Sequence, residues 1–229
     1  MNHFVFYDKI KIDHYGQLLT IGGQKKMNEK FFDLKKEKQD RMINAALKLF
    51  AENGYRRAST DDMVKEAGIS KGLLFHYFGS KLGLYEFVYD YSAKFLTMEL
   101  LSAVGAEETD FFVLRGQIEQ AKTAVMKNFP YVQLFLYRAS KEEDMEALAV
   151  TVEKRQQLQE LYEGMYSRID ESSVAGSTQE RMRGIVDYTL NGLLEDLLRT
   201  NSFTAENYLK EAQGYLGELQ RLCRSARGI

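Results

Sequence analysis

An all-α fold is predicted by three properties of this 229-residue sequence. Proline occurs once, at Pro130, and β-branched residues are sparse after residue 30, where Ala, Leu, Glu, Lys, Gln and Met dominate, a helix-forming composition. Apolar residues recur at spacings of three and four over most of the chain. Ser, Thr, Asn and Gly stand where the periodic segments begin or end.

The elements follow in order. Met42, Ile43, Ala46, Leu49 and Phe50 form an apolar stripe on a helix over about residues 36–53. Asn53-Gly54 stops it, because glycine accepts the left-handed position past a helix end. Ser59 opens a short helix with Asp62 as its capping-box partner; Met63, Val64 and Ala67 face inward, and Gly68 ends it. Ser70 caps a third helix that Gly79-Ser80 closes. A long helix is expected over 81–104, with Leu84, Phe87, Val88, Tyr91, Phe95, Met98 and Leu101 at helical spacing. Another runs over 110–128, and Pro130, suited to a first turn, should start one through about 140. Residues 142–169 read as a single helix, 171–177 as a polar loop, and 178–200 and 204–225 as two last helices, with Thr204 capping the second. About nine helices result.

Composition bounds the class. Hydrophobic residues at 45% and charged residues at 28% suit a globular chain with a buried core. Cys223 alone allows no internal disulfide framework and fits a reducing compartment. No apolar run approaches the roughly 18 residues that a membrane span needs. Asp8 and Asp13 interrupt any secretory signal pattern, so the expected location is cytoplasmic. Charge is segregated: residues 30–85 carry eleven Lys and Arg against seven Asp and Glu, and residues 86–229 carry sixteen against twenty-three. A polyanion is drawn to the first part and repelled by the second.

Residues 1–34 are set apart as an N-terminal extension. Residues 1–26 are rich in β-branched and aromatic types without helical period. One reading is an arm that touches DNA or a neighbouring subunit; the other is a disordered tail or a stretch not normally translated. Gly22-Gly23 can be encoded by a purine-rich, ribosome-binding-like sequence three codons before Met27, which makes Met27 a candidate native start.

Two short helices joined at Gly68 have helix-turn-helix geometry, in which the second presents its N-terminal half to base edges. Ser70 and Thr60, at or near helix starts, suit phosphate oxygens. Lys71 and Lys81 flank the second helix as point charges. Gly72 lets a duplex approach, Leu73, Phe75 and His76 project toward a groove, and Leu74 and Phe78 face inward. The run MINAALKLFAENGYRRASTDDMVKEAGISKGLLFHYFGSKLGLYEFV closely resembles the N-terminal domain of TetR-type (tetracycline-repressor-like) transcriptional regulators. The shared features are Ala-Ala-x-x-Leu-Phe, Gly-Tyr, Ser/Thr-x-x-x-(Ile/Met)-x-x-x-Ala-Gly, and Ser-Lys-Gly-x-Leu-(aromatic)-x-(aromatic)-Phe-x-(Ser/Asn)-Lys. They cover about residues 40–87. The resemblance implies a helix-turn-helix domain at 35–82, a helical effector-binding and dimerisation domain at 83–229, and a homodimer. It also implies phosphate contacts by Thr60, Tyr77 and Lys81 and a recognition surface of Ser70, Lys71, Gly72, Leu73, Phe75 and His76. Leu73 departs from the Thr or Ser frequent there, which exchanges a hydrogen bond for an apolar contact, such as one to a thymine methyl.

Aromatic and Met residues of the second part, with Phe95, Met98, Phe135, Tyr162, Met165 and Tyr188 as candidates, are expected to line a cavity for a small apolar or amphipathic effector that is not strongly charged. Gly184, Tyr188 and Gly192 recur every four residues, so another helix can approach closely; with Leu193 and Leu216 they form the expected dimer interface. The three histidines, His3, His14 and His76, and Cys223 make no metal-ligand or nucleophile pattern, so no enzyme, metal or cofactor is expected. The predicted function is a dimeric regulator, most often a repressor in this family, which binds palindromic double-stranded DNA and is released by a small effector. The alternative is a helical ligand-binding or interaction protein that has lost DNA binding.

Overall fold

A computed structural model describes residues 30–174 and 177–225. From Lys36 onward these hold nine α-helices and one short 3-10 helix, and no described residue is in a strand, as the composition predicts. The helices are α1 (Lys36–Arg57), α2 (Thr60–Ala67), α3 (Lys71–Phe78), α4 (Lys81–Ala103), α5 (Phe111–Met126), α6 (Val132–Ala139), α7 (Met145–Tyr166), α8 (Gln179–Arg199) and α9 (Ala205–Ser225). The candidate arm over 1–26 and the candidate start at Met27 lie outside the described residues.

Capping explains most of the boundaries. Ser59, Ser70 and Ser80 each accept a hydrogen bond from the backbone N–H three residues on, starting α2, α3 and α4 in close succession. Gly68 adopts φ 64° and ψ 45°, the left-handed conformation that ends α2 and turns the chain into α3. Gly54, at φ 69° and ψ 172°, breaks α1 where expected, but one further turn continues to Arg57. Pro130 lies in a turn two residues before α6 rather than inside its first turn. Residues 142–144 fall outside α7, because the Asp144 carboxylate caps it by accepting from the N–H groups of Glu146 and Ala147.

Packing begins ahead of the expected boundary at residue 34. Phe31 is fully buried, its ring 5.2 Å from those of both Phe78 and Phe87. The Gln39 amide donates to the carbonyls of Phe32 and Leu34 at 3.0 and 2.7 Å, folding the segment back onto α1. Burying such a ring stabilises by roughly 1.5–3 kcal/mol. Residues 31–34 therefore belong to the first domain, a correction to the proposed extension.

α1 to α3 and the start of α4 form that domain, and Met42, Phe50, Met63, Leu74 and Phe78 are in its core. α4 then runs on into the larger helical part, where it packs against α5 and α7, while α9 lies on α5. α1 also packs against α6, so the two parts share walls. Phe50 and Tyr85 meet edge to face at 4.9 Å, and Tyr85 meets Phe135 at 5.5 Å, joining α1, α4 and α6 in one aromatic cluster.

Candidate nucleic-acid interface

α3 is two turns long and divided by face. Leu74, Tyr77 and Phe78 are buried, while Lys71, Gly72 and His76 are exposed and Phe75 is half-buried beside them. Spacings of four, Lys71 to Phe75 and Gly72 to His76, put the outward set on one stripe. Ser70 is exposed but uses its hydroxyl to cap Leu73. Its phosphate-binding capacity therefore rests on the free N–H groups of the first turn. Thr60 is half-buried at the first residue of α2, with Ser59 rather than Thr60 as the cap.

Four expected contacts change character in the fold. The Tyr77 ring is buried, 5.8 Å from that of Phe31, so a phosphate contact is left to its hydroxyl alone. Leu73 is half-buried and leans on the core instead of standing clear in a groove. The Lys81 ammonium donates to the carbonyls of Arg56 and Ala58 at 3.1 and 3.3 Å and sits 4.6 Å over the Tyr55 ring. It closes the end of α1 and is not poised as a free phosphate anchor. The Lys71 ammonium lies 2.8 Å from the carboxylate of Asp61, a partner that sequence reading passed over because it belongs to a different helix.

The domain is tied to the larger helical part by Glu142. One carboxylate oxygen accepts from the Tyr55 N–H at 3.0 Å, just past the Gly54 break, and the other accepts from the N–H groups of Glu143 and Asp144. Glu142 is thus a clamp between the α6–α7 loop and the end of α1. Glu142→Ala should cost about 1.5–3 kcal/mol, the range for a hydrogen bond to a charged group. In hydrogen-exchange mass spectrometry the peptide containing Tyr55 should lose protection ahead of the rest of α1. Unchanged exchange at Tyr55 would count against the clamp.

A cavity of about 410 Å³ opens between α4, α5, α6, α7 and α8. Its apolar wall is Leu96, Leu136, Leu158 and the rings of Tyr89, Tyr137, Tyr162 and Tyr166; its polar wall includes Arg115, Lys122, Arg155, Glu163, Arg183 and Asp187. Of the expected effector residues only Tyr162 lines it. Phe95 packs at a tilt on Tyr91 at 4.5 Å and Phe135 joins the α1–α4–α6 cluster, because bulky rings fill the volume where helices converge. Met165 is buried elsewhere, Met98 is half-buried outside the lining, and Tyr188 is 73% exposed. The helical spacing of Arg155, Leu158, Gln159, Tyr162, Glu163 and Tyr166 is the signal in the sequence that could have found the α7 wall.

Below the cavity lies a buried charge network. Glu119, fully buried, accepts from Arg115 at 3.0 Å, Lys122 at 2.9 Å and the Tyr208 hydroxyl at 2.7 Å. Burial pushes the Glu119 carboxyl up, but Lys122, Arg115 and the Tyr208 bond outweigh it and hold the group below its ordinary value. Arg115 also donates to the Tyr166 hydroxyl at 2.7 Å and pairs with Asp187 at 2.9 Å. No group of three or more His, Cys, Asp or Glu among the described residues is placed to hold a metal, and no helix among them is long and apolar enough to cross a membrane.

For the expected dimer surface, Tyr188 and Gly192 are exposed and Gly184 and Leu193 half-buried on α8. Leu216 is buried in its own chain, on the α9 stripe of Ala205, Tyr208, Ala212 and Leu216 that faces inward, and this corrects its assignment. Besides Tyr188, the large apolar side chains that α8 and α9 leave to solvent are Ile185, Tyr215 and Leu222, at 41%, 45% and 66% exposure.

Two short helices meeting at a left-handed glycine, the second with an outward stripe of exposed Lys, Gly and His and a half-buried Phe, define a helix-turn-helix domain of the DNA-binding kind. Residues 42–88 match the family model described as "Bacterial regulatory proteins, tetR family", and over this segment the chain is similar to TetR-type regulators. It is 44% identical over 59 residues to the uncharacterized HTH-type transcriptional regulator YuxN of Bacillus subtilis, covering 24% of this chain and 20% of that protein. It is 34% identical over 70 residues to the HTH-type transcriptional activator FasR of Mycolicibacterium smegmatis, covering 31% of each. To IcaR of Staphylococcus aureus, the HTH-type negative transcriptional regulator of the biofilm operon icaADBC, it is 40% identical over 48 residues, covering 21% of this chain and 26% of that one. The chain thus spans between a fifth and a third of the length of these curated relatives. Its fold is similar to that of the MbdR regulator from Azoarcus sp. CIB, with a TM-score of 0.54, 18% identity, and coverage of 78% of this chain and 96% of that one.

Proposed function

We propose that the protein is a cytoplasmic, dimeric transcriptional repressor that places one α3 in each major-groove half-site of a palindrome and is released by a small effector. The outward stripe Lys71, Gly72, Phe75 and His76 carries this reading. Each member can approach a duplex without disturbing the buried face of α3, and Ser70 leaves first-turn N–H groups for phosphate. Dimerisation is supported by the small and apolar exposed residues of α8 and α9, where Gly184 and Gly192 permit close helix approach. Effector control is supported by the cavity, and by the Glu142 clamp, which ties the loop after α6, a helix that lines the cavity, to the end of α1. A ligand that shifts this loop biases the spacing of the two DNA-binding domains. Among the relatives, FasR is an activator and IcaR a negative regulator; repression is proposed because a ligand-induced loss of DNA binding then acts as derepression.

Selection of bound duplexes from a random pool, followed by salt titration on the selected site, tests this against a helical ligand-binding protein that has lost DNA binding. The expected result is a palindromic site whose log affinity falls steeply and linearly with log salt. Light scattering should give twice the 26.4 kDa chain mass. A monomer mass at micromolar concentration, or no selected site at low salt, would sink the proposal.

A further inference from the structure

We infer that the cavity takes an anionic amphipath: a carboxylate, phosphate or sulfonate head held by Arg155, with an apolar body against Leu96, Leu136 and Leu158. This rests on the effector reading above but makes its ligand class more specific, giving a defined anionic head to the apolar or amphipathic, not strongly charged ligand that the aromatic content of the sequence suggested. The charge balance of the walls carries it. Four cations line the cavity, and three are neutralised internally: Arg115 by Glu119 and Asp187, Lys122 by Glu119, and Arg183 by Glu163 at 2.8 Å. Arg155 is the lining cation with no carboxylate at ion-pair distance among the described residues.

Arg155 is half-buried on α7, and its charge reaches the cavity wall. Burial pushes the Tyr89 phenol to about 12 while Arg155 pulls it back down. One turn further along α7, Gln159 offers an amide, and two turns along Tyr162 offers a phenol on the same face. Burial drives the Tyr162 phenol up, so at neutral pH it is a hydrogen-bond donor, not a competing anion. A guanidinium, an amide and a phenol on one helical stripe form a donor set suited to an oxyanion. Leu96 of α4 and Leu136 of α6, with Leu158 of α7 beside the donors, exclude water from an apolar body, and a volume of about 410 Å³ suits a small ligand rather than a polymer.

The matched probes are 1-anilinonaphthalene-8-sulfonate and N-phenyl-1-naphthylamine, the same scaffold with and without the sulfonate, followed by fluorescence on the full chain. The sulfonate should bind about tenfold more tightly, the scale of one charge-assisted contact. Arg155→Gln should abolish the preference while leaving far-UV circular dichroism unchanged, and Arg155→Lys should keep most of it. Displacement by decanoate, decyl phosphate and decan-1-ol then separates carboxylate from phosphate, with the alcohol weakest. Equal or tighter binding of the uncharged probe, a preference that survives Arg155→Gln, or no binding of either probe would overturn the inference. Duplex affinity is measured on the same samples. If the uncharged probe binds at least as tightly as the sulfonate and weakens duplex binding, the effector reading stands and only the anion assignment fails. If the protein binds no duplex, the regulator reading fails and the probe result remains informative.

Discussion

Replacing Glu119 by glutamine is expected to cost about 3–5 kcal/mol, the range for removing one partner from a buried ion pair. Its carboxylate is fully buried and satisfies three donors from two helices, Arg115 and Lys122 on α5 and Tyr208 on α9. A neutral amide leaves Lys122, only 7% exposed, with no anion, while Arg115 keeps Asp187. For a chain of this size the loss should lower the thermal midpoint by about 10 °C. Adding Lys122→Met to Glu119→Gln should recover part of it, because the uncompensated charge is removed with its partner. The pH dependence has a definite sign. The folded-state value of Glu119 lies below its unfolded value of 4.5, so its contribution is complete above that pH and is lost as the pH falls through the folded value. Asp90 acts oppositely: burial raises its carboxyl from 3.8 to about 6, so acidification from neutrality through that range favours the folded state. Denaturant titrations between pH 3 and 7 should therefore show a flatter acid limb in Glu119→Gln than in the native chain. A loss below about 1 kcal/mol at pH 7 would rule out the network as a stability element.

That network also shows where the sequence stops being legible. Arg115, Glu119 and Lys122 stand at spacings of four and three, which in a sequence reads as an ordinary solvated ion-pair ladder. Only the packing of α9 over α5 makes them buried, and no local pattern encodes which helix covers which. The helix-turn-helix was legible for the opposite reason. Ser59, Gly68, Ser70 and Gly79 act through local backbone geometry, and all four caps and turns stand where the residues placed them. Burial of Leu74 and Phe78 was equally readable, since α3 has few positions from which to reach the core. Cavity residues were not. Phe95 and Phe135 share the aromatic character of a ligand wall, but the same rings fill helix junctions, and composition cannot distinguish the two uses. The roles of Glu142 and Lys81 between helices were not legible for a related reason: each acts on backbone groups brought near by tertiary packing, not by sequence spacing.

Asp61→Asn is expected to strengthen duplex binding, an outcome opposite to that of Lys71→Ala. Lys71 stands on the outward stripe of α3, yet its ammonium lies 2.8 Å from the Asp61 carboxylate, with the two side chains 49% and 71% exposed. An ion pair that open to water contributes between about 0.2 and 1 kcal/mol to the fold, so its loss should barely move the thermal midpoint. Against DNA the same carboxylate has two costs. It must release Lys71 before that cation can neutralise a phosphate, and its own charge faces the polyanion from the start of α2. The proposed dimer carries the pair twice, so removing both carboxylates should raise affinity by roughly tenfold, at about 1.4 kcal/mol per decade. The slope of log affinity against log salt should steepen by up to about 2, near 0.9 for each phosphate newly neutralised. Lys71→Ala should weaken binding to every duplex and flatten the slope by a similar amount, whereas His76→Ala should alter which base pairs are preferred. Fluorescence anisotropy across 50 to 300 mM salt reads all of these. If Lys71→Ala weakens binding while Asp61→Asn changes neither affinity nor slope, Asp61 does not compete with phosphate, and the Lys71–Asp61 pair has no part in setting how tightly α3 holds DNA.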